Sequence, residues 1–242
     1  MFRAVAKREW GLDRFRRYAV YVLADGALAE FGAEWLGWDI AIGQAVPQPV
    51  ITAPRAFAEL TAAATPYGFH ATIKPPFRLI EGLGPGDLAN AMAELAGRLG
   101  PLTLAGLTLT DLDGFLALTP VGDVSSLNAL AATVVRDLDR FRGPAPASEL
   151  ALRRAAGLSQ AQEANLTRWG YPYVMAEFGF HLTLTGRLTK AESTATRVLL
   201  APLLANLPLA PVPITALALV GQTETGCFKL IQRFHLTGPL SG

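Results

Sequence analysis

Two short strings that read alike constrain this chain more than anything else in it. Phe69-His70-Ala71-Thr72-Ile73-Lys74 and Phe180-His181-Leu182-Thr183-Leu184-Thr185-Gly186-Arg187-Leu188 each run aromatic, His, apolar, Thr, apolar. Side chains on a β-strand alternate between its two faces, so in each copy the His and Thr share one face and the apolar residues take the other. In the second copy His181, Thr183, Thr185 and Arg187 fall together; in the first, His70, Thr72 and Lys74 do. Residues two apart lie about 6.6 Å apart along a strand. An imidazole and a hydroxyl at that spacing can converge on one group the size of a phosphate, and two such strands facing each other would enclose it.

The segments after the two strings repeat as well. His70 to Phe115 is 45 positions and His181 to Phe228 is 47. Each interval reads strand, helix, strand, turn, strand, which implies an internal duplication with an offset of 111 residues. In the first unit (about 67–141) a helix is expected from Asp87 to Leu99, then strands Leu102–Leu112 and Phe115–Thr119 joined at Asp113-Gly114, then a helix from Asp123 to Phe141. A helical connector (about 144–170) comes next, with Ser159 as a cap. The second unit (about 178–237) has a helix from Lys190 to Ala205 and strands Val212–Gly221 and Cys227–Leu236. Ahead of both lie a strand, Arg17–Leu23, a helix, Ala27–Gly37, a loop, Trp38–Thr52, and a helix from Pro54 to about Ala64. The expectation is an α+β fold: two pseudo-symmetric lobes of antiparallel sheet with helices on their outer faces and a cleft between them. Residues 17–242 form this single bilobal domain, and the Arg-bearing stretch 1–16 reads as a poorly ordered extension.

At 51% hydrophobic content, 242 residues can bury a large core. The longest apolar region, Val198 to Val220, is broken by Pro202, Pro208, Pro211 and Pro213, which argues against a membrane span. The single cysteine, Cys227, excludes an intrachain disulfide and fits a reducing cytoplasm. A formal charge of +1 gives no broad field for a long polyanion, so extensive nucleic-acid binding is not expected and a small or terminal phosphate is favoured.

All three histidines of the chain occur as His-x-Thr. His70 and His181 hold equivalent repeat positions; His235 ends the last strand with no helix or hairpin after it and reads as structural. There is no i, i+4 histidine pair, Cys-rich spacing, Walker loop, dinucleotide fingerprint or nucleophile elbow, so neither a metal nor a cofactor is expected.

His70-Ala71-Thr72-Ile73 and His181-Leu182-Thr183-Leu184 resemble the paired HxTx motifs of the 2H phosphoesterase superfamily. More narrowly, Arg17-Tyr18-Ala19-Val20-Tyr21, the run from Tyr67 to Leu79 and Arg168-Trp169-Gly170-Tyr171-Pro172-Tyr173-Val174 resemble the DUF1045 group, commonly described in terms of phosphonate metabolism. The resemblance runs from about Arg17 to the C-terminus. It implies a bilobal, LigT-like fold with the motifs facing across a cleft, and metal-independent chemistry on a phosphodiester. His70 and His181 are then the acid/base pair, either one in either role. Thr72 and Thr183 are candidates to bind the non-bridging oxygens, Lys74 and Arg187 to neutralise phosphate charge, and Tyr67 and Tyr173 to stack on a base or ribose, with Tyr171 beside them. The expected substrate is a small cyclic diester: a 2′,3′-cyclic nucleotide, a cyclic phosphoribose or an RNA terminus. A non-catalytic binder of a nucleotide or phosphorylated sugar, and RNA end-joining by a 2′,5′-ligase-like reaction, are the alternatives. Oligomeric state is not readable.

Overall fold

A computed structural model describes residues 15–239; most of the expected N-terminal extension, residues 1–14, lies outside them. The other two residues of that extension are held in place. Phe15 packs edge-on against Tyr18, and the Arg16 N–H donates to the Gln222 carbonyl at 2.9 Å.

In chain order the elements are β1 (Tyr18–Leu23), α1 (Gly26–Leu36), β2 (Trp38–Asp39), β3 (Gln44–Ala45), α2 (Phe57–Thr61), β4 (His70–Phe77), α3 (Pro85–Ala96), β5 (Leu102–Leu104), β6 (Gly106–Asp111) and β7 (Leu116–Val121). They continue with α4 (Ser125–Asp137), α5 (Ala147–Arg154), α6 (Gln160–Trp169), β8 (Leu182–Thr183), α7 (Lys190–Leu204), β9 (Val212–Ile214), β10 (Ala216–Gln222) and β11 (Phe228–His235). The fold is α+β, and every strand pairing among the described residues is antiparallel. The helices follow their apolar faces: α3 buries Leu88, Met92 and Leu95, and α4 buries Leu127, Leu130 and Val134. The expected turn at Asp113-Gly114 is made with positive φ at both residues, the conformation that lets a two-residue loop match strand twist. None of the helices among the described residues is long and apolar enough to cross a membrane.

The two repeat units do not fold as separate lobes. One sheet has the order β11-β10-β1-β4, so the first motif strand shares a sheet with the second unit's hairpin. The other has the order β6-β7-β8, so the second motif strand pairs with the first unit's hairpin. Between them β5 pairs with β9, joining equivalent strands of the two units. This exchange carries each histidine motif across the molecule and makes the units interdependent for folding.

The two motif strands also differ. β4 runs for eight residues, but its register against β1 slips by one between Tyr21↔Thr72 and Val20↔Lys74. The extra residue is a bulge, and past it the alternation of faces is reversed. His70 and Thr72 stay on the face of Tyr21 while Lys74 turns to the face of Val20, inside the core. The second copy forms only a two-residue strand. Its chain is otherwise held by Leu184 N–H and Thr185 N–H, which share the Leu116 carbonyl, and by the Thr185 hydroxyl, which accepts from Leu116 N–H at 2.9 Å.

β1 is buried on both faces. Tyr18, Val20 and Val22 enter the main core, and Ala19, Tyr21 and Leu23 pack with Ile40, Val220 and Phe228 in a smaller layer. The β2–β3 hairpin closes that layer: Trp38 Nε1–H donates to the Phe228 carbonyl at 2.7 Å. The connector resolves into α5 and α6. Ser159 and Gln162 cap α6 reciprocally, the hydroxyl accepting from Gln162 N–H at 3.2 Å and the Gln162 amide oxygen from Ser159 N–H at 3.0 Å. Ser159→Ala is expected to cost about 1 kcal/mol in a urea titration.

Candidate active site

His70 and His181 line one cavity of about 320 Å³, together with Thr72, Thr183, Thr185, Arg187, Tyr67, Phe115 and the Ala63–Gly68 turn region. The two walls come from different sheets, β4 on one side and the β8 segment on the other. The second wall is braced from behind by the Trp35 indole N–H of α1, which donates to the Leu184 carbonyl at 2.8 Å, and by Gly186 N–H, which donates to the Leu60 carbonyl at 2.7 Å.

Both imidazoles are held by the same local device. His70 Nδ1 lies 2.9 Å from the Gly68 carbonyl and His181 Nδ1 lies 2.8 Å from the Gly179 carbonyl. A carbonyl only accepts, so Nδ1 carries the hydrogen in each ring and Nε2 is the working nitrogen. Gly68 must itself be glycine: its φ is +70°, and a Cβ there would come within 2.7 Å of Ile40. The motif is therefore Gly-Phe-His-x-Thr rather than aromatic-His-x-Thr, with a glycine two positions before each histidine.

The surroundings of the two rings differ. His70 stacks on the buried Tyr21 ring, 3.7 Å between centroids and 21° between planes, and its Nε2 accepts from the Thr72 hydroxyl at 3.0 Å. Burial, reinforced by repulsion from His181 and partly offset by the Gly68 carbonyl, lowers its pKa from 6.5 to about 4. His70 is therefore a neutral imidazole at pH 7. His181 meets only the edge of Phe115, 5.9 Å away, and its Nε2 and the Thr183 hydroxyl have no hydrogen-bond partner among the described residues.

Of the other expected site residues, Arg187 lines the cavity, anchored by one N–H to the Asp113 carbonyl at 3.1 Å. Tyr67 lines it too, stacked on Phe228. Lys74 does not. The bulge buries it at 2% exposure, with its Nζ on the Val135 carbonyl at 3.1 Å and Asp139 at 3.5 Å. Tyr173 is also absent from the lining; it is 46% exposed and meets Tyr171 edge-on. His235 ends β11, exposed and away from the cavity. Tyr21, Thr185 and Phe115 join the site without a role that sequence reasoning assigns them. Thr185 lies on the motif face, but nothing local marks Tyr21, whose place under His70 comes from the register Tyr21↔Thr72.

Among the described residues no carboxylate lines the cavity, while two imidazoles, a guanidinium and three threonine hydroxyls do. Such a lining favours an anion that accepts hydrogen bonds. Among the described residues no three His, Cys, Asp or Glu side chains cluster as a metal site would require.

A family model described as "Protein of unknown function (DUF1045)" matches residues 72–229. Two curated relatives are named ribose 1,5-bisphosphate phosphokinase PhnN. That of Janthinobacterium sp. (strain Marseille) is 38% identical over 185 residues, covering 75% of this chain and 41% of the relative. That of Laribacter hongkongensis (strain HLHK9) is 40% identical over 181 residues, covering 73% and 41%. This chain thus spans about two fifths of the length of the curated relatives it matches. Among solved structures, TT0787 of Thermus thermophilus superposes with a TM-score of 0.43 at 15% identity, covering 92% of this chain and 98% of the other. E. coli LigT complexed with NADP+ superposes with a TM-score of 0.41 at 14% identity, covering 93% and 99%. With a family match spanning well over half of its residues, this chain belongs to the DUF1045 family.

Proposed function

We propose that the protein is a phosphoesterase that hydrolyses a small cyclic phosphodiester by acid/base catalysis between His70 and His181, using no metal of its own. The observation that carries this reading is the convergence of both Gly-Phe-His-x-Thr copies on one carboxylate-free cavity, each ring presenting Nε2 as its working nitrogen.

Neutral His70 suits the base. Its Nε2 takes a proton from water as the water oxygen bonds to phosphorus; the bond from phosphorus to the departing sugar oxygen breaks, and that oxygen takes a proton from the His181 imidazolium. One proton shared by the pair is enough for each turnover, and repulsion between the rings disfavours a second. Thr183 donates to a non-bridging oxygen as charge builds on it; the Thr72 hydroxyl turns from His70 Nε2 to the other, which frees that nitrogen for the water proton, and Arg187 neutralises the phosphate.

The names of the curated relatives bear on the substrate. This sequence has no Gly-x-x-x-x-Gly-Lys-Ser/Thr loop, and those relatives extend well beyond the segment they share with it, which leaves room there for the kinase chemistry of their name. The segment shared with this chain would then act on a related molecule, a ribosyl phosphate bearing a cyclic diester. That puts the protein beside phosphonate-linked ribosyl phosphate metabolism, which favours a phospho-sugar over an RNA end.

The test is incubation with adenosine 2′,3′-cyclic phosphate, a ribose 1,2-cyclic phosphate and an RNA ending in a 2′,3′-cyclic phosphate, each with and without EDTA and followed by phosphorus NMR. Monoester should appear from a small diester at the same rate in both conditions. Binding without product would favour a non-catalytic binder, and a loss of rate in EDTA would overturn the metal-free mechanism.

A further inference from the structure

We propose that Arg17, Tyr21, Tyr67 and Tyr171 form a second anion subsite beside the catalytic cavity, which receives a terminal phosphomonoester of the substrate. The preferred substrate would then carry two phosphoryl groups on one sugar. The identity of the first phosphate rests on the phosphoesterase reading; the second rests on separate residues.

Behind His70 a chain of ring contacts leads from the cavity toward Arg17. Tyr21 stacks on His70, and its ring lies 5.9 Å from that of Phe228. Tyr67 stacks on the same Phe228 ring at 5.4 Å and lies 6.4 Å from His70. The Arg17 guanidinium lies 5.9 Å from the Phe228 centroid, fixed by its Nε–H donating to the Gln222 amide oxygen at 2.7 Å. Arg17 immediately precedes β1, four residues before Tyr21, a gap of about 13 Å along extended chain, and both side chains lie against Phe228. The Arg17 side chain spans part of that gap over Phe228.

Two groups in this cluster lack partners. The Tyr21 hydroxyl is buried and makes no hydrogen bond among the described residues, although a buried polar group is costly to leave unmatched. The hydroxyls of Tyr67 and Tyr171 and the Arg17 charge are all within electrostatic reach of it. Among the described residues Arg17 has no carboxylate partner and no acceptor for its terminal N–H groups, whereas nearby Arg153 is committed to Glu149 at 2.8 Å and packs on Tyr171. An unneutralised guanidinium with phenol donors around it is the chemistry of a phosphate receptor. A ligand oxygen arriving beside Tyr67, which lines the cavity, would be the acceptor that Tyr21 lacks.

The experiment is titration calorimetry with adenosine 2′-phosphate and adenosine 2′,5′-bisphosphate, neither of which holds a cyclic diester to turn over. On the wild-type protein the bisphosphate should bind about 10- to 100-fold tighter, the value of one or two charged hydrogen bonds. In Arg17→Ala the ratio of the two affinities should fall to near one, and in Tyr67→Phe it should fall part of the way. The ratio is internal to each variant, so a general loss of fold does not imitate it. Equal affinities on the wild type, or a ratio that survives Arg17→Ala, would overturn the subsite while leaving the phosphoesterase reading in place. A ratio that behaves as expected in a protein that hydrolyses none of the cyclic diesters would support the subsite and remove the hydrolytic reading.

Discussion

Replacing His70 or His181 with alanine is expected to lower turnover of a cyclic phosphodiester by about 10²–10⁴-fold, the usual worth of a positioned acid or base. Circular dichroism melts should keep a single transition in both variants, and His235→Ala, at an exposed strand end, should leave the rate unchanged. The pH dependence tests the roles. As base, His70 must be neutral, and burial holds its pKa at about 4. The acid limb of kcat/KM is therefore expected near pH 4 rather than near 6.5. The same shift links pH to stability. Between about pH 4 and 6.5 the unfolded chain binds the His70 proton and the folded chain does not, so stability falls as pH is lowered through that window. His70→Gln should lose that part of the dependence. Full activity in either alanine variant would end the pairing.

The part of the structure legible in the sequence is whatever a local period records. The two-residue alternation puts His181, Thr183, Thr185 and Arg187 on one face, and all four line the cavity even though only Leu182 and Thr183 form regular strand. The spacing of the repeats carries the element order of both units. Partnership across the chain leaves no such trace. Nothing local says that β4 joins the β10–β11 hairpin through β1, or that β8 joins β7, because the alternation would read the same for either pairing. Tyr21 escapes notice for that reason: its alternation with Tyr18, Val20 and Val22 is visible, but its stack on His70 exists only through the register of β1 against β4. Tyr173 is misplaced because it lies, with Tyr171, in a segment without regular structure, where no local period says which side chains reach the cleft, and neither lines the cavity.

Lys74 is the sharpest departure, and its variants should separate structure from chemistry. A strict alternation puts it beside His70 and Thr72; one extra residue in β4 carries it into the core. There it is 2% exposed, its Nζ bonded to the Val135 carbonyl and 5.3 Å from the Phe77 ring centre. Burial lowers its pKa from 10.5 to about 8 against the opposing pull of Asp139. Between pH 8 and 10.5 the unfolded chain therefore binds the Lys74 proton more than the folded chain does, and stability rises with pH across that window by about 3 kcal/mol at most. Lys74→Met fills similar space without the charge, so it should hold stability near or above the wild-type value at pH 7, remove the alkaline rise and leave turnover intact. Asp139→Ala should behave in the opposite way. It leaves Lys74 buried without its carboxylate and strips Arg142 of a two-point contact at 2.7 and 3.1 Å. The expected cost is about 2–4 kcal/mol in a urea titration, below the full value for a sealed pair because Asp139 is a quarter exposed. Loss of turnover in a well-folded Lys74→Met protein would return the lysine to the phosphate and overturn its assignment to the core.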